Sequence, residues 1–278
     1  MELESIKYGL VLSGGGVRGV GHAGAIKALE EFGIIAEVVA GSSSGAMVGA
    51  LYAAGYSPEA ILDFYERTPF FTYRKFVYRK AGFLDTSKFY YDFREMLPED
   101  SFEALKKQLF VTATNLYEGR SELFSAGELI MPVLASAAFP MMMTPVKLGE
   151  SLYADGGIMN NFPIEPVKPL VDKVIGIYVN PIQKVDEAYF KNPLSVANRA
   201  YRLTTALASF EKFKDCDMLI EPKGLSTFNT FDVNKLSLIF DIGYRETKEF
   251  LQEMIAYNRV KERTNLEPDN RNDLTIVP

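Results

Sequence analysis

Short apolar runs alternate with longer amphipathic segments along the first two thirds of the chain. The runs that predict buried strands cover residues 8–13, 37–40, 109–114 and 173–179. After the first run, apolar positions recur every three to four residues and predict a helix that ends near Phe32, with Gly33 as its stop. Strands that alternate with helices are typical of a three-layer α/β/α fold with a mainly parallel central sheet.

Further elements are predicted toward the C-terminus. Ser57-Pro58-Glu59 predicts a helix start, because serine caps a helix N-terminus and proline fits its first turn. Amphipathic patterns at 188–213 and 236–257 predict two helices, and 217–222 predicts a late strand. From about Lys261 the sequence is polar and contains proline, so we expect its end to be an exposed tail.

A glycine-rich loop follows the first predicted strand, with the sequence Gly14-Gly15-Gly16-Val17-Arg18-Gly19. The string fits a dinucleotide fingerprint, for which Glu37 would be the acidic partner about 20 residues further on. A phosphate-binding P-loop fits less well, because no Gly-Lys-Ser/Thr follows. Amides at a helix N-terminus also suit an oxyanion hole, and a tight turn needs glycine too. The loop alone leaves these interpretations open.

The second predicted strand and its helix meet at a serine between two glycines. This junction has the sequence Gly41-Ser42-Ser43-Ser44-Gly45. G-x-S-x-G between a strand and a helix is typical of a nucleophile elbow, whose flanking positions accept only small residues. Such a turn would direct the Ser43 hydroxyl toward a helix N-terminus, which favours negative charge. A turn of small residues that happens to contain serines is the plainer interpretation. The nearby glycine loop favours the elbow and the oxyanion hole together.

A nucleophilic serine needs a base, and the chain contains one histidine, His22. Hydrolases with a serine elbow place their histidine last in the chain, whereas His22 precedes Ser43, so we favour a structural role for it. The other candidate is Asp155, which Gly156 and Gly157 follow. An ordinary Asp-Gly hairpin turn explains the same residues, so this motif by itself does not decide.

These three motifs, in this order, resemble those of the patatin-like phospholipases. The flanking residues Leu12-Ser13, Ala46 and the block 135–140 match as well, and the resemblance covers roughly residues 8–180. It implies a serine–aspartate dyad that works through an acyl-serine intermediate without histidine, metal or cofactor. Ser42 and Ser44 are additional hydroxyls beside the predicted nucleophile, and the elbow geometry selects Ser43.

Carried over residue by residue, the resemblance assigns roles to this sequence. Ser43 is the nucleophile, Asp155 is the general base, and the loop from Gly14 to Gly19 is the oxyanion hole. The motif glycines are Gly41, Gly45, Gly156 and Gly157. The corresponding domains are a patatin-like catalytic core at 8–180, a helical extension packed on it at 181–260, and a polar tail at 261–278.

The sequence indicates the substrate and membrane contacts less clearly than the catalytic residues. Thioether and aromatic side chains can line a channel for flexible acyl chains, and five of them precede Asp155: Met131, Phe139, Met141, Met142 and Met143. Ordinary core packing explains them too. The segment from Phe70 to Lys80 interleaves aromatic residues with four cations, which indicates either peripheral contact with a membrane surface or an insertion whose cations are solvated.

Composition narrows the functional classes. The formal net charge of −6 argues against general nucleic-acid binding, and the single Cys216 excludes a disulfide framework or a thiolate-rich zinc site. The acidic start lacks the basic region of a signal peptide, and the uncharged stretches contain small residues or proline, so we expect no spanning segment and a cytoplasmic protein.

The sequence therefore predicts a serine acyl hydrolase that cleaves carboxylic esters of phospholipid, lysophospholipid or glyceride. An acyltransferase or thioesterase with the same dyad is the first alternative, and a catalytically silent lipid-binding regulator is the second. A catalytically silent regulator would be expected to lack Ser43 or Asp155, and both residues are present in this sequence. A nucleotide-binding enzyme is a more distant alternative.

Overall fold

An eight-stranded mixed sheet runs through the computed structural model of the chain, which describes residues 6–68, 75, 81–229 and 232–264. The strands in chain order are β1 (Tyr8–Leu12), β2 (Ala36–Ser42), β3 (Gln108–Asn115), β4 (Arg120–Phe124), β5 (Val146–Leu148), β6 (Ser151–Ala154), β7 (Lys173–Ile177) and β8 (Met218–Ile220). Their order in the sheet is β5-β6-β3-β2-β1-β7-β8, and β4 pairs with β3 outside this path.

The sheet has a parallel part and an antiparallel part. The five neighbours β3-β2-β1-β7-β8 run parallel, whereas β4 and β6 run antiparallel to β3, and β5 to β6. Short turns join β3 to β4 and β5 to β6, and such turns connect only antiparallel strands. The predicted α/β class is confirmed, with a sheet that is mixed instead of parallel throughout.

Helices lie on both faces of this sheet. They are α1 (Val20–Glu31), α2 (Ser44–Ala54), α3 (Pro58–Arg67), α4 (Tyr90–Met96), α5 (Ile130–Ser136), α6 (Gly157–Asn160), α7 (Pro193–Phe213) and α8 (Leu236–Thr264). Leu10 and Leu12 of β1 pack into one core with α1, α2, α3 and α8, while Val11 packs into a second core with Phe210 and Phe213 of α7. Because successive side chains of a strand point to opposite faces, the two cores form separate layers.

Several predicted helix ends are confirmed by their local geometry. Gly33 follows α1 with a φ of +76°, and the Ser57 hydroxyl accepts a hydrogen bond from the Ala60 amide at 3.2 Å. Two ends differ from the pattern. α7 begins at Pro193 instead of residue 188, because Asn192 forms a capping box there, and α8 continues to Thr264.

Two strands meet end to end along one edge of β3. β2 runs parallel to β3 and ends with Ser42 opposite Thr112, while β6 arrives from the other direction and ends with Ala154 opposite Thr114. Both use the same edge of β3, since β4 occupies the other edge at these positions. The residues that directly follow β2 and β6 are therefore brought together.

Most of the segment from Phe70 to Lys80 lies outside the described residues. Its described member, Lys75, is buried, forms a salt bridge with Asp92 at 2.6 Å, and lies 3.9 Å from the centre of the Phe89 ring. One of the four cations is thus bound inside the protein and is not solvated. Among the described helices, none is long and apolar enough to cross a membrane.

Glycines allow α8 to approach α1 closely. A Cβ at Gly24 would overlap the carbonyl oxygen of Phe240, and a Cβ at Gly243 would overlap the carbonyl oxygen of Gly21. The backbones are in direct contact at both points, so neither helix can yield by rotating a side chain. This contact fixes α8 on the helix that follows the glycine loop.

We expect Gly24→Ala to lower the free energy of unfolding by about 1–3 kcal/mol, because the added methyl group forces two helix backbones apart. Gly49→Ala is the matched control in α2, where the methyl group would meet only side-chain methyls, the nearest being Val39 Cγ1 at 3.2 Å. Thermal and urea unfolding of both variants check this. Equal stabilities of Gly24→Ala and the parent protein would show that the close approach is not needed.

Candidate active site

Ser43 occupies a strained turn between β2 and α2. Its φ of 54° and ψ of −125° are rarely adopted by residues with a side chain and are typical of a nucleophile elbow. A Cβ at Gly41 would lie 2.5 Å from the backbone of Gly45, and a Cβ at Gly45 would overlap the carbonyl oxygen of Leu12. The two flanking glycines are therefore required by the closeness of neighbouring backbone.

The Ser43 hydroxyl donates a hydrogen bond to Asp155 Oδ2 at 2.6 Å. Both side chains are buried, and Asp155 directly follows the end of β6. Asp155 is therefore not in the turn of the hairpin formed by β5 and β6. Gly156 fits beside it because any Cβ there would overlap the carbonyl oxygen of Thr112 in β3. The end-to-end arrangement of β2 and β6 thus brings the two motifs into contact.

Both carboxylate oxygens of Asp155 have hydrogen-bond donors. Besides the Ser43 hydroxyl on Oδ2, Oδ1 accepts from the Gly157 amide at 2.8 Å and from the Tyr201 hydroxyl at 3.0 Å. Burial raises the pKa of Asp155 to about 6, against the opposing effect of these three donors. The carboxylate is consequently more basic than a solvated aspartate and remains mostly ionised at neutral pH.

The glycine loop lies over Ser43. Gly14, Gly15 and Gly16 line the same cavity as Ser43, and Gly16 has a φ of +61° that favours glycine. The Gly14 amide donates to the Asn161 carbonyl oxygen at 3.3 Å, so it is already engaged. An oxyanion bound by this loop would therefore take its donors from the amides that follow Gly14. Val17 and Arg18 also line this cavity, while Gly19 packs against Ser44 of the elbow.

Ser136 of α5 holds the backbone of the elbow. Its buried hydroxyl accepts a hydrogen bond from the Ser43 amide at 2.8 Å. The Thr114 hydroxyl likewise donates to the carbonyl oxygen of Asp155 at 2.9 Å. The sequence contained a signal for Ser136, since it belongs to the block 135–140 that matches the family pattern, but the pattern does not state what its hydroxyl contacts.

His22 is completely buried in α1, away from the Ser43–Asp155 pair. Its Nε2 donates to the carbonyl oxygen of Ser13 at 2.8 Å, and burial lowers its pKa to about 4. The imidazole is therefore neutral at physiological pH and holds the end of β1, where the glycine loop begins. This geometry agrees with the structural role favoured from the sequence.

Glu37 does not meet the requirement of a dinucleotide site. It is exposed near the amino end of β2, whereas the glycine loop follows the carboxyl end of the parallel neighbour β1. The acidic residue of a dinucleotide fold must reach the ribose on the carboxyl side of the sheet. The structure therefore argues against this interpretation of the loop.

The cavity around Ser43 is mainly apolar. Phe139, Met142 and Met143 line it, together with Leu84, Phe89 and Leu134. Two residues predicted to contribute lie elsewhere. Met131 packs against buried core clusters, and Met141 is 52% exposed with a φ of +70°. The reason is local: the chain turns after Phe139, and this turn points Met141 to solvent.

One side of the cavity comes from α7, which the sequence analysis described only as support. Asn198, Tyr201 and Arg202 of this helix line the cavity, and the Tyr201 ring packs edge-on against Phe139 with 4.9 Å between centroids. No motif in the sequence indicates these residues, because their spacing matches any amphipathic helix. Among the described residues, no group of three or more histidine, cysteine, aspartate or glutamate side chains is arranged to hold a metal ion.

The fold and the serine–carboxylate pair define an α/β protein with an elbow serine and a buried aspartate at one edge of the sheet. The family model for "Patatin-like phospholipase" matches residues 10–168. This match covers more than half of the chain. The chain belongs to the patatin-like phospholipase family, and the resemblance seen in the sequence is confirmed.

Two curated relatives illustrate the range of similarity. Lysophospholipase nte1 of Emericella nidulans is 26% identical over 281 residues, which cover 88% of this chain and 18% of the fungal protein. The uncharacterized NTE family protein Mb1092c of Mycobacterium bovis is 33% identical over 184 residues, 64% of this chain and 50% of that protein. The chain thus spans about a fifth of the length of the fungal relatives it matches.

Solved structures with a similar course of the chain include VipD from Legionella pneumophila. It is 18% identical, with a TM-score of 0.49, and the match covers 89% of this chain and 67% of VipD. The type III effector ExoU is 16% identical, with a TM-score of 0.45 over 90% of this chain and 53% of ExoU.

We expect Tyr201→Phe to shift the reactivity of Ser43 to higher pH. The variant removes a hydrogen bond that lowers the pKa of Asp155, so this pKa rises above about 6. A carboxylate accepts a proton only when it is ionised, so the labelling rate falls as the pH is lowered through the pKa of Asp155. In the variant this fall begins at a higher pH. The initial rate of Ser43 labelling by a fluorophosphonate, measured from pH 4.5 to 8, gives the apparent pKa of Asp155 in the parent protein and in the variant.

Tyr178→Phe is the control, because it removes another buried tyrosine hydroxyl that does not contact Asp155. Its pH profile should match that of the parent protein. Identical profiles for Tyr201→Phe and the parent protein would mean that Tyr201 has no influence on the carboxylate.

Proposed function

We propose that this chain is a serine acyl hydrolase that cleaves carboxylic ester bonds of lipids through an acyl-serine intermediate. The observation that carries the proposal is the 2.6 Å hydrogen bond between Ser43 Oγ and a buried Asp155 carboxylate in an apolar cavity. Nucleophile and base at hydrogen-bonding distance, with the base oriented by further groups, are the signature of covalent catalysis.

In the first step, Asp155 Oδ2 accepts the proton of Ser43 as Oγ attacks the ester carbonyl carbon. The carbonyl oxygen becomes an oxyanion, which the amides of Gly15 and Gly16 stabilise. The tetrahedral intermediate then expels the alcohol, which takes the proton from Asp155, and the acyl group stays on Ser43. In the second step, Asp155 accepts a proton from water, the resulting hydroxide equivalent attacks the acyl-serine, and Ser43 Oγ leaves with that proton as the fatty acid is released.

The raised pKa of Asp155 makes this base effective without histidine. An aspartate at its ordinary pKa of about 3.9 is a weak base for a serine hydroxyl, and burial moves it about two pH units closer to neutrality. Gly157 and Tyr201 keep the carboxylate directed at Ser43. The larger part of the rate acceleration is then assigned to the oxyanion donors, each typically contributing about 3 kcal/mol.

A lipid acyl chain suits the walls of this cavity. Phe139, Met142 and Met143 present flexible or aromatic apolar surface next to Ser43, so an acyl chain would be removed from water as its ester reaches the hydroxyl. The names of the fungal relatives, which are lysophospholipases, support the same substrate class.

We expect Ser43→Ala and Asp155→Asn each to abolish hydrolysis of a lipid ester, because they remove the nucleophile and the base. His22→Gln should retain activity within about tenfold, since the amide can still donate to the Ser13 carbonyl and the imidazole takes no part in proton transfer. Hydrolysis of a lysophospholipid measures the activity of each variant. Fluorophosphonate labelling, followed by mass spectrometry, identifies the nucleophilic residue.

Circular dichroism and thermal unfolding verify that each variant is folded. A folded His22→Gln that is as inactive as Ser43→Ala would refute the histidine-free dyad. Label on a residue other than Ser43 would refute the assignment of the nucleophile.

A further inference from the structure

Two buried arginines line the cavity of Ser43 and have no part in the proposed dyad. Arg18 belongs to the glycine loop and is 1% exposed, and Arg202 lies on α7 and is 4% exposed. Both arginines are close in sequence to residues of the site: Arg18 is two positions after Gly16, and Arg202 directly follows Tyr201. Charged side chains this deeply buried are almost always paired with an opposite charge.

Within the described residues, the hydrogen-bond partners of these guanidinium groups are neutral, namely backbone carbonyl oxygens and, for Arg202, the Tyr189 side chain. Arg18 Nη1 donates to the Phe228 carbonyl oxygen at 2.9 Å, and Arg202 Nη2 donates to the Pro181 carbonyl oxygen at 3.0 Å. The Nε of each arginine is buried and has no hydrogen-bond partner. Each guanidinium carries five N–H donors, so at least the Nε donor of each arginine is left unused.

No carboxylate of the described residues forms a salt bridge with either arginine. The charge of Asp232 favours the protonated form of Arg18, and the hydrogen bond with Tyr189 favours that of Arg202. The two guanidiniums repel each other, and burial together with Arg202 lowers the pKa of Arg18 to about 9. Arg18 therefore stays positively charged at neutral pH, and neither arginine has a salt-bridge partner in the part of the chain that the structure describes.

A further polar side chain lies in the same lining. Asn180 is buried, and its side-chain oxygen has no hydrogen-bond partner. Asn180 is one residue before Pro181, whose carbonyl oxygen holds Arg202. The side-chain amide has two N–H donors besides this acceptor oxygen, so Asn180 can contact a phosphate only through its nitrogen.

We propose that Arg18 and Arg202, assisted by Asn180, form a subsite that binds the phosphate of the lipid head group while the acyl ester lies at Ser43. This inference rests on the proposed function and specifies its substrate class. A planar guanidinium can donate two parallel hydrogen bonds to phosphate oxygens, and two guanidiniums facing one cavity supply the charge that a buried phosphate needs.

The charge balance specifies a phosphate monoester. Two arginines match the charge of a monoester, which is between −1.5 and −2 near neutral pH. A choline or ethanolamine head group brings its own cation, and Asp155, the one carboxylate among the described lining residues, is occupied by Ser43. The lining therefore favours a lysophosphatidate over the corresponding choline ester.

Hydrolysis of three esters with one acyl chain tests this: lysophosphatidate, lysophosphatidylcholine and monoacylglycerol. For the parent protein we expect kcat/KM for lysophosphatidate to exceed that for the other two by about tenfold or more, mainly through KM. The diester of lysophosphatidylcholine carries less negative charge and an added cation, and monoacylglycerol has no phosphate to accept the hydrogen bonds. Equal values, or a preference for the choline ester, would overturn the proposal without the use of any variant.

Arg202→Gln should reduce the ratio of lysophosphatidate to monoacylglycerol hydrolysis by about tenfold or more. Arg202→Lys keeps the charge and should preserve a part of the preference, which also covers the case that the glutamine variant does not fold. Arg245→Gln is the control, because Arg245 is an exposed arginine on α8 that is not among the residues that line the cavity. An unchanged ratio in folded Arg202→Gln would mean that the arginines only brace backbone carbonyls.

Binding of glycerol 3-phosphate separates this proposal from the function itself. In Ser43→Ala, calorimetry should detect glycerol 3-phosphate and not glycerol, and Arg202→Gln on that background should remove the signal. Binding that depends on Arg202, in a protein that hydrolyses no ester, would support the subsite while the proposed function fails. Ester hydrolysis without such binding would leave the function standing and overturn the subsite.

Discussion

The site depends on one constraint of chain topology: two strands of opposite direction end face to face along the same edge of β3. β2 delivers Ser43 at its carboxyl end, and β6 delivers Asp155 at its own. Because hydrogen bonds to β3 fix both strands, the 2.6 Å distance between hydroxyl and carboxylate is held by the sheet and not by a mobile loop. Gly41, Gly45 and Gly156 are the positions where this junction leaves no room for a side chain.

Burial then determines the electrostatics of the whole cavity. The same exclusion of water that raises the pKa of Asp155 lowers the pKa values of His22 and Arg18. The cavity thus contains a basic aspartate and two arginines without salt-bridge partners among the described residues, while the neutral His22 lies outside it at the end of β1. Those properties follow from where the side chains lie and would be absent in a solvated surface cluster.

The predictable part of this molecule was encoded locally. Apolar runs gave β1, β2, β3 and β7, and the three motifs gave Ser43, Asp155 and the glycine loop, because tight turns demand particular residues at particular places. Tyr201 and Arg202 could not be found this way, since their roles arise from the packing of α7 against a site 46 or more positions away in sequence. Met141 was predicted to line the cavity because its side chain is suitable and its neighbours do so. Its backbone turn instead directs the side chain to solvent.

The boundary of the family match has a consequence for how such a protein diversifies. The pattern shared with the family ends at residue 168, whereas α7 starts at Pro193 and supplies one wall of the cavity. One wall of the cavity, and with it the Tyr201 hydroxyl that donates to Asp155, therefore lies outside the stretch that the family model matches. A change in this helix that reshapes the wall can therefore also alter the hydrogen bonding of the buried carboxylate.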